Sequence, residues 1–380
     1  MLSGSLKHIK DKRVSDHTDK HIVQLSQEIV NLIKQARYQT IRQVNTLMVQ
    51  TYYEIGRLIV ENEQKGGIRA EYGKKVLQKL SLQLNQQFGK GFSVDNLENM
   101  RRFYLTYAEL PKSETVSRKL ENNISANKII KSETPSRQYK KEFQLSWSHY
   151  VFLIHIDNEI ERNFYEKEAI NQNWSLRELK RQFNSALFER LALNKNKEEM
   201  IELSKQGQII SQPQDIVKDP LILEFLGLPE QTKYSENELE QRIIDKLQLF
   251  LMELGKGYTF VGRQVRLTFN EKHFFVDLVF FNRILQCFVL IDLKIGEITH
   301  QDLGQMQMYV HYYDRKIKLD NENPTIGVVL CKKKDDAIVE LTLPENNTQI
   351  FASKYQTVLP NKEDFTRLLK DNLSGSLKTH

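Results

Sequence analysis

Phe288-Val289-Leu290-Ile291-Asp292-Leu293-Lys294-Ile295 is the stretch that decides how the second half of this chain folds. An uninterrupted run of Phe, Val, Leu and Ile is typical of a strand buried on both faces. An acid and a lysine within such a run are costly unless they are paired or hold a metal ion. Side chains alternate along a strand, so Asp292 and Lys294 point the same way, roughly 7 Å apart. The preceding run, Phe274-Phe275-Val276-Asp277-Leu278-Val279-Phe280-Phe281, sets one acid among apolar and aromatic residues. The two runs meet closely around Asn282-Arg283, and pairing as a hairpin brings Asp277 beside Asp292.

Working outward, Tyr258–Leu267 reads as a strand before the hairpin runs His273–Phe281 and Gln286–Ile295, and Thr325–Cys331 as one after them. A helix over Asp302–Tyr313 precedes that last strand. Another spans Glu240–Leu254, with Ile243, Leu247, Leu251 and Leu254 on one face. This order describes a mixed sheet flanked by helices. The first half reads as helical instead. Ile41, Val44, Met48, Tyr52, Ile55 and Ile59 recur at three- and four-residue spacing, and Val76, Leu80, Leu84 and Phe88 repeat the pattern. After a turn at Gly89-Lys90-Gly91, Ser93 caps a helix striped by Leu97, Met100, Phe103 or Tyr104, and Tyr107. This is compatible with a helix-turn-helix whose Arg101 and Arg102 meet phosphates; a helix pair that merely packs is the plainer alternative. Ser175 and Glu178 form a capping-box pattern that opens a helix striped by Leu179, Phe183, Leu187 and Leu191. Trp147 and Trp174 read as packing residues rather than base-stacking platforms.

The resulting organisation is a polar N-terminal tail (1–21), a helical, candidate DNA-binding domain (22–111) and a basic linker (112–142). A second helical unit (143–200), a Pro- and Gly-punctuated connection (201–230), the sheet domain (231–364) and a C-terminal tail (365–380) follow. The fold class is α+β and multidomain. A net charge of +6 hides an asymmetry. Residues 1–142 hold 25 Lys and Arg against 15 Asp and Glu, and residues 143–380 hold 30 against 34. A basic front half suits a polyanion, and a solvated basic surface would look the same. No apolar stretch is long enough for a membrane span, no secretory signal is evident, and Cys287 and Cys331 are the only cysteines. These features predict a cytoplasmic protein with two buried thiols and no membrane partner.

Two convergent carboxylates with a nearby lysine suit phosphodiester hydrolysis. Mg²⁺ prefers oxygen ligands and keeps several waters, so it needs few protein carboxylates. Lys294 would orient the attacking water or offset developing charge. A buried Asp–Lys ion pair with no chemistry is the alternative, and a second buried acid on the neighbouring strand argues against it. Cys-x-x-Cys, Walker-type and His-Glu-x-x-His motifs are all missing.

At this point the residues resemble a family. Asp277 followed across a hairpin by Asp292-x-Lys294 resembles the PD-(D/E)XK nuclease superfamily. Residues from about Asp219 to Asp364 are similar to the C-terminal domain of bacterial YhcG-like proteins. The matching stretches are Leu223–Leu228, Phe260-Val261-Gly262-Arg263-Gln264, Leu290–Lys294 and Gly304-Gln305-Met306. In the first half, Tyr53-Glu54-Ile55-Gly56-Arg57, Ala70–Lys74, Phe88–Ser93 and Leu145–Tyr150 are similar too. The resemblance implies a restriction-endonuclease-like domain with Asp277, Asp292 and Lys294 catalytic, and Glu240 a further metal ligand beside the two acids. It also implies Gln305 as a phosphate or water contact, for which capping or packing is the alternative. Arg263 and Gln264 would lie near the DNA path. His300 stands where the family pattern leads one to expect a proline.

The expected function is a Mg²⁺-dependent DNA endonuclease, with Mn²⁺ able to substitute. Foreign, damaged or branched DNA is its expected substrate, in defence, restriction-linked or DNA-processing roles. A homodimer is expected because cutting both strands needs two sites. The rival is a catalytically inactive DNA-binding or regulatory protein that retains the fold.

Overall fold

The computed structural model describes residues 4–66, 70–108, 143–193, 195–228, 234–269 and 271–375. The chain divides into two compact units, Met1–His155 and Ile156–His380. The linker expected at 112–142 lies outside the described residues. Among the described residues, no helix is long and apolar enough to cross a membrane.

The first unit is helical: α1 (Gly4–Gly66), α2 (Ala70–Phe88), α3 (Val94–Tyr107) and α4 (Trp147–Leu153). The start of α1 at Gly4 falls inside the segment read from sequence as a polar tail. Ser93 caps α3 as its sequence position predicts, its hydroxyl accepting from the Asn96 N–H at 3.2 Å. Buried Val49 and Val60 belong to α1, and buried Leu97, Met100 and Phe103 to α3. The two helices pack closely, because a Cβ on Gly56 would lie 2.0 Å from the Met100 carbonyl oxygen. That approach explains the glycine within Tyr53–Arg57. Phe103 and Tyr107 of α3 make edge and tilted ring contacts with Phe143 and Tyr150. Trp147 packs against Tyr52 and Phe103 and donates to Asn96 Oδ1 at 2.9 Å. These aromatic contacts explain why α4 belongs to the first compact unit, apart from the helices after it.

The second unit opens with α5 (Glu159–Asn171), α6 (Leu176–Asn184), α7 (Leu187–Ala192) and α8 (Lys197–Gln206). Ser175 caps α6, but Glu178 does not close the capping box. It is buried and accepts from Gln182 Nε2 at 2.7 Å. The helix read through Leu191 breaks at Ala186, whose backbone is left-handed (φ 53°).

Six strands follow: β1 (Leu221–Ile222), β2 (Tyr258–Phe269), β3 (Lys272–Asn282), β4 (Cys287–Glu297), β5 (Ile326–Lys333) and β6 (Ile350–Gln356). Their spatial order is β1-β6-β5-β4-β3-β2, antiparallel from β2 to β4 and parallel from β4 to β1. The mixed sheet is the one expected. Sequence periodicity missed β6, in which Ser353 is buried and its hydroxyl donates to the Lys218 carbonyl. One face packs on α9 (Glu236–Asp245) and α10 (Leu247–Leu254) through Leu278, Phe280, Val289, Ile291 and Leu293. The helix expected as one piece over 240–254 is therefore two, broken at Lys246, whose ammonium donates to the Phe225 carbonyl at 2.6 Å. The other face packs on α11 (His300–Lys316) through Val279, Leu290 and Val329. His300 is the first residue of α11, a position that tolerates proline, and Thr299 and Asp302 form the capping box before it. Helix α12 (Asp336–Thr342) joins β5 to β6, and α13 (Lys362–Gly375) occupies most of the segment read as a C-terminal tail. Cys287 and Cys331 are free and buried.

Candidate active site

The β3–β4 ladder runs from Asn282↔Cys287 to Leu278↔Ile291 and would next pair Asp277 with Asp292. At that point a side chain takes over from the backbone: Asp277 Oδ2 accepts the Leu293 N–H at 2.7 Å. The two acids are thus brought together on the face that carries Val279 and Leu290, where β4 leaves the hairpin. Asp292 is only 3% exposed. Lys294 Nζ lies 2.9 Å from Asp292 Oδ2, and 3.9 Å from both Glu236 Oε2 and Asp302 Oδ1. Asp292 Oδ2 is buried with the Lys294 ammonium as its ion-pair partner and, among the described residues, no further donor.

A carboxylate buried beside a second acid is costly, and the cost appears as a displaced titration. Burial first, then the neighbouring Asp277 charge, pushes the Asp292 carboxyl up to about 7, although Lys294 pulls it back. Burial would lower the Lys294 pKa, but Asp292, Glu236 and Asp277 raise it overall, so the ammonium stays charged. A buried carboxyl whose ionisation is opposed by a neighbouring acid is the electrostatic precondition for binding a cation.

Gln264 completes the cluster. The β2–β3 register, shifted by a bulge between Phe260 and Gly262, leaves Gln264 facing Asp277. Its Nε2 donates to Asp277 Oδ1 at 2.9 Å and also to Glu240 Oε2. Gln264 holds a left-handed backbone (φ 47°), an uncommon state for a residue other than glycine and one that collects at functional sites. Read from sequence as lying near the DNA path, its side chain is engaged between two acids. Glu240 is buried in α9 and also faces Arg263 Nε at 3.4 Å. Among the described residues, no three His, Cys, Asp or Glu side chains are grouped to hold a metal ion together. Gln264 stands between Glu240 and Asp277.

The remaining candidate residues divide. Gln305 on α11 donates to the Tyr309 hydroxyl, which donates to the Phe275 carbonyl at 2.9 Å. The charges of Asp292 and Asp277 reach Tyr309 and help raise its pKa, after burial, the largest cause. Arg263 is an exposed residue on β2 and donates to Gln241 Oε1 at 2.9 Å. In the first unit, Arg101 is paired with Glu63 at 2.8 Å and Glu98 at 3.4 Å, while Arg102 is partly buried on α3. Sequence reasoning missed Glu236, Asp302 and Tyr309. Only the capping position of Asp302, three residues after Thr299, could have singled one of them out.

Buried Asp292, half-buried Asp277 and a lysine, set where an antiparallel hairpin joins a parallel sheet, are the features of a PDDEXK-type nuclease domain. The family model described as the YhcG PDDEXK nuclease domain matches residues 214–373, and the DUF1016 N-terminal domain matches residues 28–190. A curated protein of Escherichia coli (strain K12), named "Putative nuclease YhcG", is 38% identical over 355 residues, 92% of this chain and 94% of that protein. The chain belongs to the YhcG family. Among solved structures, a repair endonuclease from Pyrococcus abyssi is 14% identical over 34% of this chain and 50% of that one, with a TM-score of 0.24. An EndoMS–dsDNA complex is 12% identical over 35% of this chain and 50% of that one, with the same TM-score. The chain spans about half the length of these solved structures, and neither likeness bears on the roles of its residues.

Proposed function

We propose that this protein is a Mg²⁺-dependent DNA endonuclease, with Mn²⁺ as an acceptable substitute. The observation that carries the reading is the buried Asp292 carboxyl, set beside Asp277 and paired with the Lys294 ammonium. A hard cation suits two convergent carboxyl groups, and Asp277 and Asp292 would hold it while leaving sites for water and phosphate. A bound divalent cation would supply polarisation of the phosphate and a lowered pKa for the attacking water. Gln264 fixes the direction of Asp277 and ties Glu240 behind it. The Lys294 ammonium has three N–H donors for the water or for a phosphate oxygen as charge builds. Arg263 lies beside Glu240 with an exposed, forked guanidinium suited to the DNA backbone. Two copies acting together would cut both strands, in defence, restriction-linked or DNA-processing roles.

The test is incubation of the purified chain with linear, supercoiled and branched DNA in Mg²⁺, Mn²⁺ or EDTA. Cutting in either cation and none in EDTA is expected. A well-folded protein that cuts no DNA and binds neither cation would remove the reading.

A further inference from the structure

Helix α1 buries one apolar face against α3 and, among the described residues, leaves apolar side chains uncovered elsewhere. Val49, Gly56 and Val60 turn inward toward α3, with Met100 across the crossing. On the other side, Ile22, Ile29, Ile33, Val44, Leu47 and Leu58 are between 46% and 64% exposed, while Leu25, Val30, Leu32, Ile41 and Met48 are exposed to either side of them. At 3.6 residues per turn the first six fall within a strip roughly 60° wide, nearly opposite Val49. A monomeric soluble protein rarely exposes so continuous an apolar stripe. At 1.5 Å per residue it runs about 54 Å, and at about 10 Å of helix width it offers on the order of 500 Å². Two such stripes face to face reach about 1,000 Å², the size a specific interface needs.

The spacing identifies the occupant. Ala36 and Val44 lie four residues either side of Thr40, Ile33 and Leu47 seven, and Ile22 and Leu58 eighteen. Ile29 is the exception, falling opposite Thr51. A stripe whose other members are symmetric about its midpoint is self-complementary when a second copy runs antiparallel. Antiparallel order also sets the two helix dipoles head to tail, and it keeps the Arg37 side chains at the stripe's margin about 9 Å apart along the axis. We propose that α1 is a dimerisation helix: it pairs antiparallel with α1 of a second copy, centred on Thr40, with Ile33 packed against Leu47 of the other chain. The proposal deepens the expectation of a homodimer but does not rest on the nuclease reading, and a monomer would leave the metal site untouched.

The experiment uses the full chain. Sedimentation velocity should give the mass of two chains at micromolar concentration. Ile33→Glu with Leu47→Glu sets like charges opposite one another twice per pair, and should weaken association by about 100-fold or more. Both positions are exposed, so helical circular dichroism should be unchanged. For order, a mixture of Ile33→Cys and Leu47→Cys chains should cross-link on oxidation, while neither variant cross-links to itself. The native Cys287 and Cys331 are buried and give little background. A monomeric wild type, or a dimer indifferent to the paired glutamates, would overturn the surface. Self-cross-linking of Ile33→Cys chains would overturn the antiparallel order.

Discussion

Glu253, at the end of α10, tests whether the helical segment before the sheet is held to it by buried charge. The side chain is fully buried. It accepts from Arg190 Nη1 at 2.9 Å, Arg181 Nη2 at 3.1 Å and the Ile222 N–H at 3.0 Å, joining α6 and α7 to α10 and β1. Burial would raise its pKa, but Arg190, Lys218 and Arg181 hold it down at about 2. Because the folded value lies below the ordinary 4.5, the contribution is present above pH 4.5 and is lost as pH falls through 2. At 1.36 kcal/mol per unit it is about 3 kcal/mol. Glu253→Gln removes that and leaves Arg190, whose side chain is 1% exposed, without a carboxylate. Breaking such a pair costs about 3–5 kcal/mol, a large part of a domain's stability. Buried Trp174 reports on this unit, so urea unfolding can be followed by its fluorescence in a Trp147→Phe background. At pH 7 the midpoint should fall by about 1–2 M, and the two curves should converge as pH drops from 4.5 toward 2. A midpoint within about 0.2 M of the parent at pH 7 would refute the reasoning.

Three further outcomes are expected. The Asp292 carboxyl is raised from its ordinary 3.8 to about 7, so its contribution is present below pH 3.8 and lost as pH rises through 7. Metal-free Asp292→Asn should therefore be more stable than wild type at pH 8 by about 1–4 kcal/mol and gain nothing from Mg²⁺ in a melting assay; a less stable variant would contradict this. Gln264→Ala frees Asp277 Oδ1 and Glu240, and should slow DNA cleavage by about 10–100-fold with the melting temperature nearly unchanged; an unchanged rate would show that the bridge is incidental. Gly56→Ala drives a methyl into the Met100 carbonyl and should destabilise the first unit by about 1–3 kcal/mol, read from Trp147 fluorescence in a Trp174→Phe background. A neutral result would mean that α1 and α3 do not cross so closely.

The hairpin and its acids were legible because polar residues in continuous apolar strands are anomalous in one dimension. Asp277 and Asp292 announce themselves within β3 and β4, and the short turn at Asn282 leaves few registers. The α3 cap was equally local, needing only Ser93 and the N–H three residues on. What sequence did not show depends on distant partners. The Gln264 bridge rests on a bulge, a left-handed backbone and Glu240, 24 residues earlier. Arg101 stood out as a candidate phosphate contact, and its pairing with Glu63, 38 residues away, has no signal in the sequence. Strand β6 lacks a clean apolar alternation because buried Ser353 is satisfied by the Lys218 carbonyl across 135 residues. The break between α9 and α10 has no Gly or Pro to mark it; Lys246 is held out of the helix by its bond to Phe225.

The central claim is that Asp277, Asp292 and Lys294 form one cation-dependent hydrolytic site. Asp292→Ala and Lys294→Ala, each checked for folding, should be compared with wild type on the preferred DNA in Mg²⁺, with Mg²⁺ binding measured by calorimetry in parallel. The account predicts that both variants lose cleavage and that only Asp292→Ala loses most of the metal affinity. Cleavage by either folded variant at the wild-type rate would contradict it.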